Sequence, residues 1–260
     1  MIKAKKKFGQ NFLEDLSIIK KIIESINPTT KDKILEIGPG MGALTFEILK
    51  KINLIDVIEI DIDMINYLEK HDIEKKIQIF NNNILNIETS FLSKYTKIIG
   101  NLPYYISSEI LVKITKNPNK NISYFFMLQK EVADRIASPP GNSSFGRISA
   151  FLQYFFVIDK LFDVSPVSFN PIPKVSSSVV RLKPIIQKNV KISSYELYEN
   201  LLRISFKQKR KKIKNNLKGF FSLDDFEKCN ISAELRPECL SVENYVTIEN
   251  YIFQKKIPLN

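Results

Sequence analysis

This sequence has little material for metal or disulfide chemistry. Its 260 residues include one histidine, His71, and two cysteines, Cys229 and Cys239. That is too few ligands for a four-coordinate zinc site and too few thiols for a stapled framework. No apolar run approaches the roughly 18 to 20 residues that span a bilayer. The amino-terminal "MIKAKKKFGQNFLEDL" opens with positive charge, as a signal peptide does, but Gly9, Gln10, Asn11, Glu14 and Asp15 leave no apolar stretch behind it. The expectation is a soluble, cytoplasmic protein with reduced thiols, no metal and no membrane partner.

Acidic residues are missing from one place in particular. Between Lys207 and Lys218 there are seven cations and no carboxylate, and Lys3, Lys5, Lys6 and Lys7 form a second basic cluster. The net charge is +11, from 39 Lys and Arg against 28 Asp and Glu. Net charge alone is a weak argument here, because stretches such as "NNNILN" and "KKIKNN" show a general enrichment in Lys, Asn and Ile. Clustering without acids is stronger, and it suggests a polyanionic partner such as nucleic acid.

What is present in quantity is apolar, at 44% of residues, with 26% charged; both values are ordinary for a globular protein. Short runs rich in Ile and Val recur at 33–38, 57–61, 77–80, 97–101 and 124–128, separated by segments with apolar spacings of three and four, such as Leu44, Ile48, Leu49 and Ile52. Strands alternating with helices predict a mostly parallel sheet. "DKLFDVS" and "SSSVVRLKP", with little helical pattern between them, predict an antiparallel pair at the sheet edge. From about Lys188 the pattern becomes helical throughout, ending in a helix capped by Ser241. The expected organisation is an α/β domain over 1–187 and a small all-α domain over 188–260.

"EIGPGMGALT" places Gly38, Gly40 and Gly42 at the turn after the first of these strands. Glycine there permits positive φ and close approach of a ligand to the backbone, near a helix N-terminus. The spacing suits a nicotinamide or flavin cofactor and S-adenosylmethionine equally. Glu59 ends the next strand, where a carboxylate can accept from the hydroxyls of a ribose. Asp61 and Asp63 read as structural, with Asp63 as a helix cap.

"GNLPYY", at the end of the run 97–101, separates the two cofactor readings. It falls at the sheet edge where open α/β folds bind ligands, and its residues suit methylation of an exocyclic base amine. The amine of adenine is a poor nucleophile because its lone pair is delocalised into the ring. Carbonyl oxygens from the Asn101 side chain and the Leu102 backbone can each accept an N–H and so favour a pyramidal nitrogen. Pro103 stiffens the turn. Tyr104 offers a stacking face, worth roughly 1–3 kcal/mol per base, whose negative π-surface also suits the positive charge that develops. No strong base is required, and positioning carries most of the catalysis. Tyr105 has no such role, and its ring is expected in the core.

Together, "KKKFGQNFL", "LEIGPGMGALT", "VIEID", "GNLPYYISS", "FMLQKEVADRI", "FGRIS", "FNPIPKVSSSVVRL", "SFKQKRKKIKNNL" and "LRPECLSVENY" resemble the small-subunit ribosomal RNA adenine dimethyltransferases over nearly the whole chain. The resemblance implies a Rossmann-like methyltransferase fold and S-adenosyl-L-methionine as methyl donor. It implies two adjacent adenines near the 3′ end of small-subunit rRNA as targets, each methylated twice, and a monomer acting on the immature small ribosomal subunit. Carried over by position, cofactor contacts fall on Asn11, Leu13, Gly38, Gly40, Glu59, Ile60, Asn83 and Asn101. Catalytic roles fall on Asn101, Leu102, Pro103 and Tyr104, with Phe169 as a further wall of the adenine pocket, and "FGQNF" as a flap over cofactor and substrate.

Asn83 departs from the family's pattern, in which an aspartate accepts from the adenine amine of the cofactor. A hydrogen bond to a charged group is worth about 1.5–3 kcal/mol against about 0.5–1.5 for a neutral one, so binding weaker by up to about 1 kcal/mol is expected. In the basic segment, Lys207, Lys211, Lys214 and Lys218 fall at helical spacing on one stripe, with Arg210 beside them and Phe206, Ile213 and Leu217 on another face. This predicts one helix whose stripe grips RNA phosphates. Three other readings stand beside this one. They are a large-subunit rRNA dimethylase of the macrolide-resistance type, a non-catalytic assembly or transcription factor on the same fold, and a nicotinamide oxidoreductase.

Overall fold

A computed structural model describes residues 4–5, 8–116, 119–185 and 190–258; of the basic amino-terminal cluster, Lys3, Lys6 and Lys7 lie outside these. The strands are β1 (Phe12–Leu13), β2 (Ile34–Ile37), β3 (Ile55–Glu59), β4 (Ile77–Asn81), β5 (Lys97–Asn101), β6 (Ser123–Gln129), β7 (Phe156–Val164), β8 (Phe169–Asn170) and β9 (Ser177–Pro184). Seven form one sheet in the order β4-β3-β2-β5-β6-β9-β7. The first five are parallel, and β9 runs antiparallel to β6, pairing Phe126 with Val180. This is a mostly parallel, Rossmann-like sheet with the expected antiparallel edge. β1 and β8 form a separate antiparallel pair, Leu13 opposite Phe169.

The apolar runs become strands because both faces of the sheet are covered. All four residues of β2 are buried, as a parallel strand flanked by helices requires. On one face, helix Leu16–Ile26 turns Ile19, Ile22, Ile23 and Ile26 into a core shared with Ile34, Ile55 and Val57. Its spacing of three and four is the cause, and Asp15 caps it by accepting from the Ser17 and Ile18 amides.

The chain divides into two compact units. One comprises the residues up to Ala133 with Val157–Pro184, and the other Asp134–Phe156 with the chain from Ile185 onward. The second draws in helix Arg147–Phe155, which lies before the sequence boundary at 187. Its Phe151 and Tyr154 rings meet Tyr198 of helix Tyr195–Ser205, with centroids 6.2 and 5.1 Å away. The final helix, Val242–Lys255, is capped by Ser241 as the sequence predicts. Among the described residues no helix is long and apolar enough to cross a membrane.

Two local expectations are corrected. Asp61, not Asp63, caps helix Ile62–His71, accepting from the Asp63 amide at 3.2 Å. The single basic helix does not form: one helix ends at Ser205 and a short one begins at Ile213. A continuous helix would set Lys207 against Lys211 and Arg210 against Lys214, and like charges four apart destabilise it. The Asn216 side chain instead holds the turn, accepting from the Gln208 amide at 3.1 Å and donating to its carbonyl at 3.2 Å. Ile213 and Leu217 are still buried, so the apolar face survives while the charged stripe does not.

Candidate active site

β3 and β5 flank β2 on either side, because the chain steps outward from β2 through β3 to β4 and then crosses back to β5 on the opposite side. A crevice opens at such a switch point, beyond the carboxyl ends of the strands. Here it is a cavity of about 290 Å3 lined by residues from all three strand ends, among them Gly38, Glu59 and Asn101, and covered by residues 8–13.

The glycine turn and Glu59 are built together. Gly40 has φ of +56°, and its amide donates to Glu59 Oε2 at 3.3 Å. A Cβ at Gly40 would stand 3.2 Å from the Phe12 ring, so both the backbone conformation and the covering segment exclude a side chain. The amides of Ile60 and Asp61 donate to Glu59 Oε1 at 2.8 and 2.9 Å. Glu59 is buried, which pushes its carboxyl above the ordinary range, against the pull of those three amides. Acceptor capacity remains on Oε2. The helix after the turn begins only at Thr45 and has five residues. The loop amides, rather than a helix terminus, are therefore what the turn presents.

A second carboxylate in the cleft, Glu36, escaped the sequence reading. It is 2% exposed, and the Thr45 hydroxyl donates to it at 2.6 Å. Burial pushes its pKa up to about 7 against that hydrogen bond, with a further rise from the Glu59 charge. A lone acid inside the apolar run "KILEIG" was the available signal.

At the end of β5, the Asn101 side-chain nitrogen donates to the main-chain carbonyl of Asn11 at 3.1 Å, which leaves Oδ1 as the free end of the amide. The Leu102 amide is taken by the Met127 carbonyl at 3.1 Å. The Tyr104 hydroxyl pairs with the buried Ser177 Oγ at 2.7 Å, fixing the ring from β9. Nothing in the sequence pointed to Ser177, because only the fold brings residues 73 apart together. Pro103 and Ile60 complete the lining.

Asn83 also lines the cleft, and its Oδ1 accepts from the Leu85 amide at 2.9 Å. Tyr105 is not in the core: it is 57% exposed at the cleft. Phe169 is the reverse. It is 2% exposed, lies in the core with Leu13, and is not among the residues lining the cleft. Its antiparallel pairing with Leu13 turns the ring inward.

In the helical unit, Lys207, Arg210, Lys211 and Lys218 are exposed and, among the described residues, unpaired. Lys214 instead pairs with Glu234, which Lys212 also engages at 2.5 Å. The two ammonium groups hold the Glu234 carboxyl down at about 2.

A Rossmann-like sheet, a glycine turn joined to an acidic strand end, and Asn-Leu-Pro-Tyr at the fourth parallel strand define a nucleoside-cofactor-dependent methyltransferase. The family model described as ribosomal RNA adenine dimethylase matches residues 1–254, and the chain belongs to that family. It is similar to the ribosomal RNA small subunit methyltransferase A of Wigglesworthia glossinidia brevipalpis, 43% identical over 261 residues, covering 98% of this chain and 100% of the relative. The protein of the same name from Neisseria meningitidis is 39% identical over 255 residues, 98% of each chain. Among solved structures, a dimethyladenosine transferase from Plasmodium falciparum superposes with a TM-score of 0.81 at 26% identity, over 95% of this chain and 98% of that one. The 23S rRNA methyltransferase ErmE shares the fold, with a TM-score of 0.71 at 21% identity over 94% and 100%.

Proposed function

We propose that the protein transfers methyl groups from S-adenosylmethionine to the exocyclic amines of two adjacent adenines near the 3′ end of small-subunit rRNA. It acts as a cytosolic monomer on the immature small subunit and forms dimethyladenosine at both positions. The observation that carries this reading is the orientation of Asn101, whose amide nitrogen is occupied by Asn11 while its oxygen stays free.

The cleft fits the cofactor. Glu59 offers an oxygen for a ribose hydroxyl, and the turn at Gly38 and Gly40 lets backbone approach closely: a Cβ at Gly38 would meet nothing within 4 Å. Asn11, Leu13, Ile60 and Asn83 surround the same space. When bound, the cofactor supplies an electrophilic methyl group. Asn101 Oδ1 and the Leu102 carbonyl accept the two N–H bonds of the target amine in the first transfer, and one of them accepts the single remaining N–H in the second, so that the lone pair is aimed each time. Tyr104, held by Ser177, stacks the base and faces the positive charge that grows on it. The nitrogen sheds its proton after transfer, so no strong base is needed, and geometry supplies the rate. Lys207, Arg210, Lys211 and Lys218 bind RNA phosphates, which positions the RNA without reading its sequence.

The test is incubation of the protein with labelled S-adenosylmethionine and undermethylated small subunits, followed by mapping of dimethyladenosine. Label at two adjacent adenines near the 3′ end of the small-subunit rRNA is expected. Label on large-subunit RNA, or none, overturns the reading.

A further inference from the structure

An asparagine amide is ambiguous: one end accepts and the other donates, and the two are nearly the same shape. For Asn101 to accept from an amine, something must hold its nitrogen away. The Asn11 carbonyl does this at 3.1 Å, but that carbonyl lies on the amino-terminal segment and is only as well placed as the segment itself.

The segment is held on both sides of Asn11. On the carboxyl side, Phe12 and Leu13 pair with Asn170 and Phe169, and the Glu14 amide donates to the Ser168 carbonyl at 2.9 Å. On the amino side, Gln10 Nε2 donates to Asp61 Oδ2 at 2.8 Å. Lys5 Nζ reaches Asp61 Oδ1 and Asp63 Oδ2, each at 2.6 Å. The Lys5 amide donates to Gln10 Oε1 at 2.8 Å, which closes the group on itself.

Both oxygens of Asp61 are thus engaged by the segment. Asp61 is a firm base for it, being 2% exposed with its own amide held by Glu59. It is also two residues from Glu59, on the cofactor side of the cleft. The contacts therefore run without a break from the strand end that faces the cofactor to the amide that faces the amine.

We infer that Lys5 and Gln10 are positioning residues for Asn101: by clasping Asp61 they fix the Asn11 carbonyl, which orients the Asn101 amide with its oxygen toward the target amine. The inference rests on the proposed methyl transfer and assigns two residues of the amino-terminal segment to the rate of that step rather than to RNA affinity.

The experiment compares steady-state methylation of undermethylated small subunits by wild type, by the Lys5→Met/Gln10→Leu double variant, and by Lys5→Arg. Asp61 is left intact because it caps a helix. The double variant is expected to lose about tenfold or more in kcat, with KM for the small subunit and melting temperature near wild type. Lys5→Arg is expected to recover most of the rate, since it keeps the cation that meets Asp61. A raised KM with unchanged kcat would make Lys5 a phosphate contact and overturn the inference. So would an unchanged rate, or a rate that falls only in step with lost folded protein. A wild type that methylates nothing overturns the functional reading and the inference with it, an outcome distinct from a variant that behaves as an active wild type.

Discussion

Asn101 Nδ2 and the Asn11 carbonyl oxygen meet at 3.1 Å across 90 residues of chain. That one hydrogen bond ties the end of a central strand to a segment outside the sheet, and it decides which end of an ambiguous amide faces the cleft.

Replacing Asn101 by Asp should therefore be severe although it is nearly isosteric. A carboxylate cannot donate to Asn11, and the two oxygens repel. Loss of about 10²–10³ in kcat is expected, the range seen when one preorganised polar contact to a reacting group is removed. Steady-state kinetics measures this, with cofactor affinity by calorimetry as the control.

Asn83→Asp should tighten S-adenosylmethionine binding. In the structure, Asn83 Oδ1 is already engaged by the Leu85 amide, so the other end of the side chain is an NH₂, a poor match for an adenine amine. An aspartate could cap Leu85 with one oxygen and accept from the cofactor with the other. A gain of about 1.5–3 kcal/mol, roughly tenfold or more, is expected, the worth of a hydrogen bond to a charged acceptor where the amide offers none; equal affinities by calorimetry would remove Asn83 from the adenine site.

Glu36 makes stability depend on pH. The unfolded chain titrates this group near 4.5 and the folded protein near 7, so in that interval the folded state holds the additional proton. Its contribution is full below the lower value and is lost as pH rises through the upper one. Wild type should lose up to about 3 kcal/mol relative to Glu36→Gln between about pH 4.5 and about pH 8. Denaturant unfolding at both ends of that range measures it, and a constant difference would contradict it.

The lysines should separate in salt titrations of RNA binding. Alanine at Lys207, Arg210, Lys211 or Lys218 should each reduce the slope of log affinity against log salt by about 0.7–0.9. Lys214→Ala should reduce it less, because Lys214 is already paired with Glu234. Equal effects at all five positions would restore the single stripe expected from spacing.

Most of the fold could be read from the chain because burial on both faces leaves a plain trace: β5 occupies 97–101, the bounds of its apolar run. The candidate site residues were legible for a related reason. They stand at strand ends, where the change from apolar to polar is abrupt, as at Glu59 and Asn101. Side chains that serve those residues leave no such trace. Ser177 sits among identical serines, and Lys5 and Gln10 look like any polar tail until Asp61 is seen beneath them.

The amino-acid sequence by itself determined the alternation of strand and helix, the glycine turn, and the Asn-Leu-Pro-Tyr segment. These follow from local backbone preference and from periodic burial, which neighbouring residues decide together. Only the tertiary structure decided the direction of the Asn101 amide, the inward turn of the Phe169 ring, the exposure of Tyr105, and the breakup of the lysine stripe. Each depends on partners distant in the chain, or on a balance between helix spacing and charge repulsion. Spacing describes where a side chain could point, and packing and hydrogen bonding select where it does.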